Sequence, residues 1–353
     1  MRVTIRDVAR KARASTSAVS AVLSGRQSTI RVAEATRQRI LKAAESLGYQ
    51  PHPIAQSLAS KRTGVLGLVF PYAGAFTDNN PFNAAIMAGT MAAATERRYN
   101  LMLHTKLDAE WSAMEARMLL DPRVDGIVLV EPWVGIPLLR DLLAADKPFV
   151  AIHCEIPCER LYCVNADDVG GARIAVEHLI RLGHERIAHL IGGRHSVTAL
   201  RRLEGYQIAL KENGIKPCSA LMVECGFDER QGYAATQQVL RLRRPPTAIF
   251  VSHDIAAIGA FKAIKAAGLR VPEDIAVVGY GDSGVAATLQ PPLTTVRLPI
   301  YDMALTATRM LVELVEGREP APRQVVMPVT LVVRESCGAT QSSSAGRASL
   351  PAP

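Results

Sequence analysis

Between positions 4 and 23 the chain reads Thr4-Ile-Arg-Asp-Val-Ala-Arg-Lys-Ala-Arg-Ala-Ser-Thr-Ser-Ala-Val-Ser-Ala-Val-Leu23. Thr4 and Asp7 have the spacing of a capping box, in which a hydroxyl takes an orphan backbone N–H and a carboxylate reaches back to the helix start. Ile5, Val8, Ala9 and Ala12 then recur at the helical period. Arg13-Ala14 makes a short turn. Ser15 can cap a second helix whose Ala18, Val19, Val22 and Leu23 form an apolar stripe, with Thr16, Ser17, Ser20 and Ala21 outside. The period predicts a third helix over 32–47, with Ile40, Leu41, Ala44 and Leu47 facing inward and Gly48 ending it. Helices this short are stable only when they bury their stripes on one another, which gives a helix-turn-helix with a covering helix.

A generic three-helix bundle shares that periodicity, and charge separates the two. The 353-residue chain carries a formal net charge of +8. Residues 1–62 hold twelve Lys and Arg against three acids (Asp7, Glu34, Glu45), a net of +9, so the remainder stands at −1. Arg2, Arg6, Arg10, Lys11, Arg26, Arg31, Arg37, Arg39 and Lys42 are interleaved with the apolar positions. Phosphate contacts that set the register of a recognition helix need this arrangement. The expected partner is double-stranded DNA with a palindromic operator, read by a homodimer, because one short reading helix spans too few base pairs.

Next comes Tyr49-Gln-Pro-His-Pro-Ile-Ala-Gln-Ser-Leu-Ala-Ser60, where two prolines restart the chain and Ile54, Ala55 and Leu58 fall at helical spacing. A helix so short folds only against a partner. In order and spacing, T-I-R-D-V-A, S-T-S-A-V-S, V-A-E-A-T-R, L-G-Y-Q-P and I-A-Q-S-L-A resemble the headpiece and hinge helix of the lactose-repressor/galactose-repressor family of transcription regulators. The resemblance implies that paired hinge helices enter the minor groove at His52 and Ala55. It also implies that Leu58 wedges into a base step, where unstacking is offset by the contacts a bent duplex permits. Thr16, Ser17 and Ala21 match its base-reading positions, and Thr4, Ser15, Ser20 and Thr36 its phosphate-holding ones. Two departures stand out. Ala21 replaces a longer reading residue and offers only apolar contact. Arg13 stands where relatives have a turn glycine and Ala33 where they have a capping serine, each at a cost of about 1 kcal/mol.

From Thr63 the pattern changes to apolar runs alternating with amphipathic stretches: 65–70, 101–104, 126–130, 149–153, 186–192, 248–252 and 275–280. Such alternation predicts parallel sheets with crossover helices, and it occurs twice. A further helix is expected near Met303–Glu316. V-E-H-L-I-R-L-G-H-E-R-I-A (Val176 to Ala188), V-P-E-D-I-A-V-V-G-Y (Val271 to Tyr280) and P-P-L-T-T-V (Pro291 to Val296) resemble the core of the same family, through about Arg334. The fold class is therefore α/β: an N-terminal helix-turn-helix three-helix headpiece plus hinge helix, then a two-lobed periplasmic-binding-protein-like core of doubly wound parallel sheets. The expected division is headpiece 1–50, hinge helix and linker 51–62, effector-binding and dimerisation core 63–336, and disordered tail 337–353. Within the core the first lobe is expected over 63–164 and 294–325 and the second over 165–293 and 326–336. The tail lacks the leucine heptads that tetramerise some relatives.

In such a core a small-molecule effector sits between the lobes, at the carboxyl ends of the strands. The resemblance places Phe82 and Phe227 on its walls and makes Arg202 the effector-binding arginine. Where relatives have an aspartate, this chain has His153; where they have an asparagine, it has His253 beside Asp254; and the acid before Asp282 is replaced by Gly281. Two acceptor-only groups are lost and two imidazoles gained around an arginine. This predicts an anionic effector, such as a sugar acid or sugar phosphate, clamped by Arg202 with His153 and His253 donating. The alternatives are a neutral sugar, a nucleobase or a protein corepressor. His178 and His184 read as structural.

No signal peptide or apolar span opens the chain, so the expected location is cytoplasmic, with no membrane partner. The six cysteines (Cys154, Cys158, Cys163, Cys218, Cys225, Cys337) lack paired spacing, which suits reduced thiols; a metal site from His153 with the first three is disfavoured. Gly279-Tyr-Gly-Asp-Ser-Gly284 has the glycines of a dinucleotide site but follows a late strand and opens no good crossover helix. No catalytic set stands out, so neither an enzyme nor a cofactor is expected. A plain solute-binding protein would share the core but not the headpiece.

Overall fold

The computed structural model describes residues 3–23, 30–50, 62–70, 81–104, 119–132, 138–145, 147–155 and 158–339. It divides into two compact units, one of Met1–Val65 with Pro122–Asp125, the other of Leu66–Asp121 with Gly126–Pro353.

The first unit carries helices α1 (Ile5–Ala12), α2 (Thr16–Leu23) and α3 (Glu34–Ser46) around a core of Val8, Ala9, Ala12, Val19, Val22, Ile40, Ala43 and Ala44. The carboxylate of Asp7 accepts from both the Thr4 N–H (3.0 Å) and the Thr4 hydroxyl (2.7 Å). It reaches back as the capping-box spacing predicts, with the hydroxyl donating to it. Arg13 ends α1 in the left-handed region at φ 50°, the conformation that favours glycine. Ala33 stands at the N-cap of α3 with no side-chain bond to offer. Two expectations need correction. Leu41 is 38% exposed, because the buried stripe of α3 is Ile40, Ala43 and Ala44 with Leu47 half-buried, an i, i+3, i+4, i+7 series that rotates Leu41 to solvent. Ala21 is half-buried, not fully outside. In the same unit Asp125 accepts from Thr63 N–H (2.6 Å), Thr63 Oγ1 (2.9 Å) and Gly64 N–H (2.8 Å).

The second unit contains two six-stranded sheets. In the first, β1 (Val65–Val69), β2 (Asn100–His104), β3 (Gly126–Val130), β4 (Phe149–Ile152), β5 (Cys163–Ala166) and β11 (Gln324–Met327) lie in the order β11-β5-β4-β3-β1-β2. In the second, β6 (Ile187–Ile191), β7 (Met222–Glu224), β8 (Ala248–Val251), β9 (Ala276–Gly281), β10 (Thr294–Arg297) and β12 (Thr330–Val332) lie in the order β12-β10-β9-β8-β6-β7. β3, β4 and β6 are buried at every position, as parallel strands covered on both faces must be. The crossover helices are α4 (Pro81–Glu96), α5 (Leu138–Ala144), α6 (Asp168–Arg181), α7 (Val197–Glu212), α8 (Glu229–Leu240), α9 (Asp254–Ala266) and α10 (Ile300–Val315).

The seven predicted apolar runs are all strands. The lobe boundaries differ from those expected. Thr294–Arg297 pairs in parallel with β9, Thr295 opposite Gly279, and so belongs to the second lobe. Cys163–Ala166 and Gln324–Met327 pair with each other in the first. The chain therefore crosses between lobes after Ala166, after Arg297 and after Met327. Cys337, expected to open the tail, is buried at the end of a short 3-10 turn, its Sγ 3.2 Å from His178 Nε2 and accepting from the Thr294 hydroxyl at 3.2 Å.

Candidate nucleic-acid interface and effector cleft

Of the predicted base-reading positions, Thr16 and Ser17 are exposed at the start of α2 and Ala21 is half-buried. The predicted phosphate-holding residues Thr4, Ser15 and Thr36 stand at the N-termini of the three helices, where unpaired N–H groups and the helix dipole favour anions. Ser15 Oγ accepts from Ala18 N–H at 3.1 Å and lies 2.9 Å from Ser17 Oγ. Thr36 Oγ1 accepts from Arg39 at 3.2 Å, and Ser20 is exposed. Arg6, Arg10, Lys11, Arg31, Arg37, Arg39 and Lys42 are all exposed around them. His52, Ala55 and Leu58 lie outside the described residues.

Within the second unit, the strand carboxyl ends gather a polar cluster. His153 follows β4, Asp168 opens the helix after β5, His253 follows β8 and Asp282 follows β9. Glu131, His153 and Asp282 hold φ of 46°, 54° and 51°, left-handed values that cost non-glycine residues of order 1–3 kcal/mol and recur at ligand sites. Arg202, on α7, is 2% exposed. Its Nε donates to Asp168 Oδ1 at 2.8 Å, its Nη1 donates to the Ser252 carbonyl at 2.8 Å, and the guanidinium lies 4.0 Å over the Tyr280 ring. The expected anion clamp is thus an arginine already matched by a buried carboxylate.

The two histidines differ. His253 Nε2 lies 3.3 Å from Arg202 Nη1, which can only donate, so this nitrogen accepts and the imidazole is neutral. Burial, then the charge of Arg202 and then His153, hold its pKa well below the ordinary value. His153 is 1% exposed and neither ring nitrogen has a hydrogen-bond partner; Nδ1 is 3.7 Å from Asp168 Oδ2. Burial lowers its pKa as well, against the pull of Asp168 and Glu131. Each imidazole has an aromatic neighbour. Phe82 stacks on His153 with centroids 5.8 Å apart, and Phe227 meets His253 edge-on at 4.7 Å. Phe227 lies over Gly192 and Gly193, where a Cβ would come within 2.9 and 3.0 Å of its ring.

The aspartates serve the protein itself. Asp254 accepts from Thr295 Oγ1 (2.7 Å), Ser283 N–H (2.7 Å) and Ser283 Oγ (3.1 Å), and burial raises its pKa against those bonds. Asp282 is held by Arg297 and Arg334, each at 2.6 Å. A cavity of about 430 Å³ opens beside the cluster, lined by Phe82, His253, Asp254 and Asp282 together with Tyr280, Arg297 and Tyr301. His153, Arg202 and Phe227 join it through their ring and hydrogen-bond contacts. Asp168, Tyr280, Ser252 and Glu131 escaped the sequence reading. Asp168 carried one signal, an acid at the first turn of a helix directly after a strand. Among the described residues no three His, Cys, Asp or Glu side chains are grouped to hold a metal, and no helix is long and apolar enough to cross a membrane.

Residues 4–52 match the model of bacterial regulatory proteins of the lacI family, and residues 176–337 that of periplasmic binding protein-like domains. Over 337 residues, 95% of this chain and 98% of the other, the sequence is 33% identical to the HTH-type transcriptional regulator CelR of Thermobifida fusca. The chain belongs to the LacI family. Its architecture is that of other LacI-family regulators. The CelR–cellobiose complex superposes with a TM-score of 0.73 at 32% identity, covering 95% of this chain and 100% of that one. The lac repressor dimer bound to operator and the anti-inducer ONPF gives 0.82 at 29% identity, covering 96% and 100%. The family assignment gives this LacI-family chain a DNA-binding, transcription-regulating role, and its relatives are regulators, not enzymes.

Proposed function

We propose that this regulator is a homodimeric repressor of a palindromic operator, controlled by a small uncharged, hydroxyl-bearing ligand seated between the lobes. One observation carries the ligand class: Arg202 is neutralised by Asp168 at 2.8 Å with both side chains buried. The neighbouring His253 is neutral, so no net positive charge faces an incoming anion. Next to the cavity-lining His253 and Phe82 stand a buried His153 with both ring nitrogens unpartnered and a buried Ser252 hydroxyl in the same condition. Neutral imidazoles and hydroxyls both donate and accept, which suits sugar hydroxyls. The sugar acid or sugar phosphate expected from sequence would have to displace Asp168 from Arg202. The relative CelR was solved with cellobiose, an uncharged sugar. Phe82, His153, Phe227 and His253 are the proposed contact residues, Arg202 orients His253, and Asp254 and Asp282 hold the rim.

Thermal denaturation against neutral sugars, sugar acids, sugar phosphates and purines tests this. A ligand at a hundred times its Kd adds about 2.7 kcal/mol of stability. A rise with neutral sugars alone supports the reading, and a rise with anions alone overturns it.

A further inference from the structure

Glu131 belongs to the first lobe, at the carboxyl end of β3, yet its carboxylate is bound by the second. Ser196 Oγ donates to Glu131 Oε1 at 2.5 Å, and Thr198 Oγ1 donates to the same oxygen at 2.8 Å. Both residues are buried, at 1% and 3% exposure. Ser196 is the N-cap of the sixteen-residue α7, its Oγ accepting from Ala199 N–H at 3.2 Å. The carboxylate therefore stands where a helix N-terminus and two hydroxyls would hold an anion. It is kept there by a left-handed backbone at φ 46° that glycine would adopt more readily. His153, buried and without hydrogen-bond partners, is close enough to interact electrostatically with it.

We propose that Glu131 is a built-in occupant of the α7 N-terminus: it fills from within the chain the position an anionic ligand group would take, and so makes the cleft select against anions. This rests on the uncharged-ligand reading for the class of ligand that remains. A carboxylate or phosphate entering here meets donors already used and a like charge beside it, which disfavours its charged form. A hydroxyl brings a proton that Glu131 can accept on its remaining lone pairs, so the same side chain that rejects one ligand class is a partner for the other. Glu131 accepts from both Ser196 and Thr198, whose hydroxyls lie 2.8 Å apart and without it could satisfy only one of their two donors on each other, so it removes the penalty of a buried, unpaired hydroxyl.

The test compares full-length native protein with Glu131→Gly, Glu131→Ala and Glu131→Gln in thermal denaturation against inorganic phosphate, with sodium chloride at matched ionic strength as reference. Glycine suits the left-handed backbone, and alanine repeats the test if glycine loosens the loop. The expected result is a saturable rise in Tm with phosphate for the glycine and alanine variants, while native protein and the glutamine variant, whose amide oxygen still fills the position, follow the chloride reference. Equal phosphate responses in all four overturn the Glu131 assignment. A rise of native Tm with gluconate instead overturns the uncharged-ligand reading, and the phosphate comparison decides Glu131 independently of it.

Discussion

Arg202 Nε lies 2.8 Å from Asp168 Oδ1, and the two side chains are 2% and 6% exposed. Breaking a buried pair by removing one partner leaves an uncompensated charge and costs about 3–5 kcal/mol. Arg202→Ala is therefore expected to lower the urea midpoint severely, and to lose effector response both through that destabilisation and because His253 loses the group that orients it. The double variant Arg202→Met, Asp168→Leu is expected to recover most of the stability while remaining blind to ligand. A single alanine variant as stable as native protein would remove the ion pair from the account.

His189 gives the core an acid limit. It is fully buried between the Tyr206 and Phe250 rings, at 5.0 and 4.7 Å, and burial lowers its pKa from 6.5 to about 3. Between those values the unfolded chain binds a proton that the folded chain refuses, so stability falls as pH drops from 6.5 towards 3. By linkage the loss is on the order of 4–5 kcal/mol for this group alone. His153 and His253, also lowered by burial, act in the same direction. His189→Leu should flatten this limb in denaturant melts across that range, and an unchanged slope would mean that the imidazole titrates normally.

The headpiece carries two correctable faults. Arg13→Gly relieves a left-handed residue and Ala33→Ser supplies a missing cap, each expected to stabilise the headpiece by about 1 kcal/mol. Amide hydrogen exchange of α1 to α3 in the intact protein reads this directly. Slower exchange is expected in both variants, while faster exchange in Arg13→Gly would show that the arginine side chain contributes more than its backbone costs.

DNA contacts should separate into two kinds. Arg37→Ala is expected to weaken binding to all sequences alike and reduce the salt slope of log K by about 1, since one phosphate contact is lost. Thr16→Ala should leave that slope alone and relax base preference at one operator position. Filter binding to specific and random duplexes over a salt series distinguishes them; a base-specific loss from Arg37→Ala would move α3 out of its phosphate-holding role.

Much of the fold could be read directly, because the deciding signals were local. Thr4 with Asp7 and Ser15 with Ala18 mark helix starts within four residues, and the short apolar runs at 126–130 and 248–252 read as buried strands. What escaped depended on distant partners. β7 and β12 have three residues each and β11 is a half-exposed edge, so none carries enough hydrophobic pattern to be seen. Thr294–Arg297 overlaps a legible motif, Pro291 to Val296, yet its lobe is set by pairing with β9. The site follows the same rule. Arg202 was legible in its own run, but Asp168, thirty-four residues away, meets it only through the packing of α6 on α7, and that one contact underlies the proposal of an uncharged ligand.

The three crossings between lobes bear on how such a chain can be recombined. A graft of residues 167–293 would carry β6 to β9, four strands of the second sheet, and leave β10 and β12 to be supplied by the recipient. Each lobe is therefore stitched from separated parts of one gene, and neither lobe can be exchanged between relatives as a single contiguous segment. At the proposed site, ligand preference is expected to change residue by residue, at positions such as 131, 153 and 253, inside a scaffold that both lobes share.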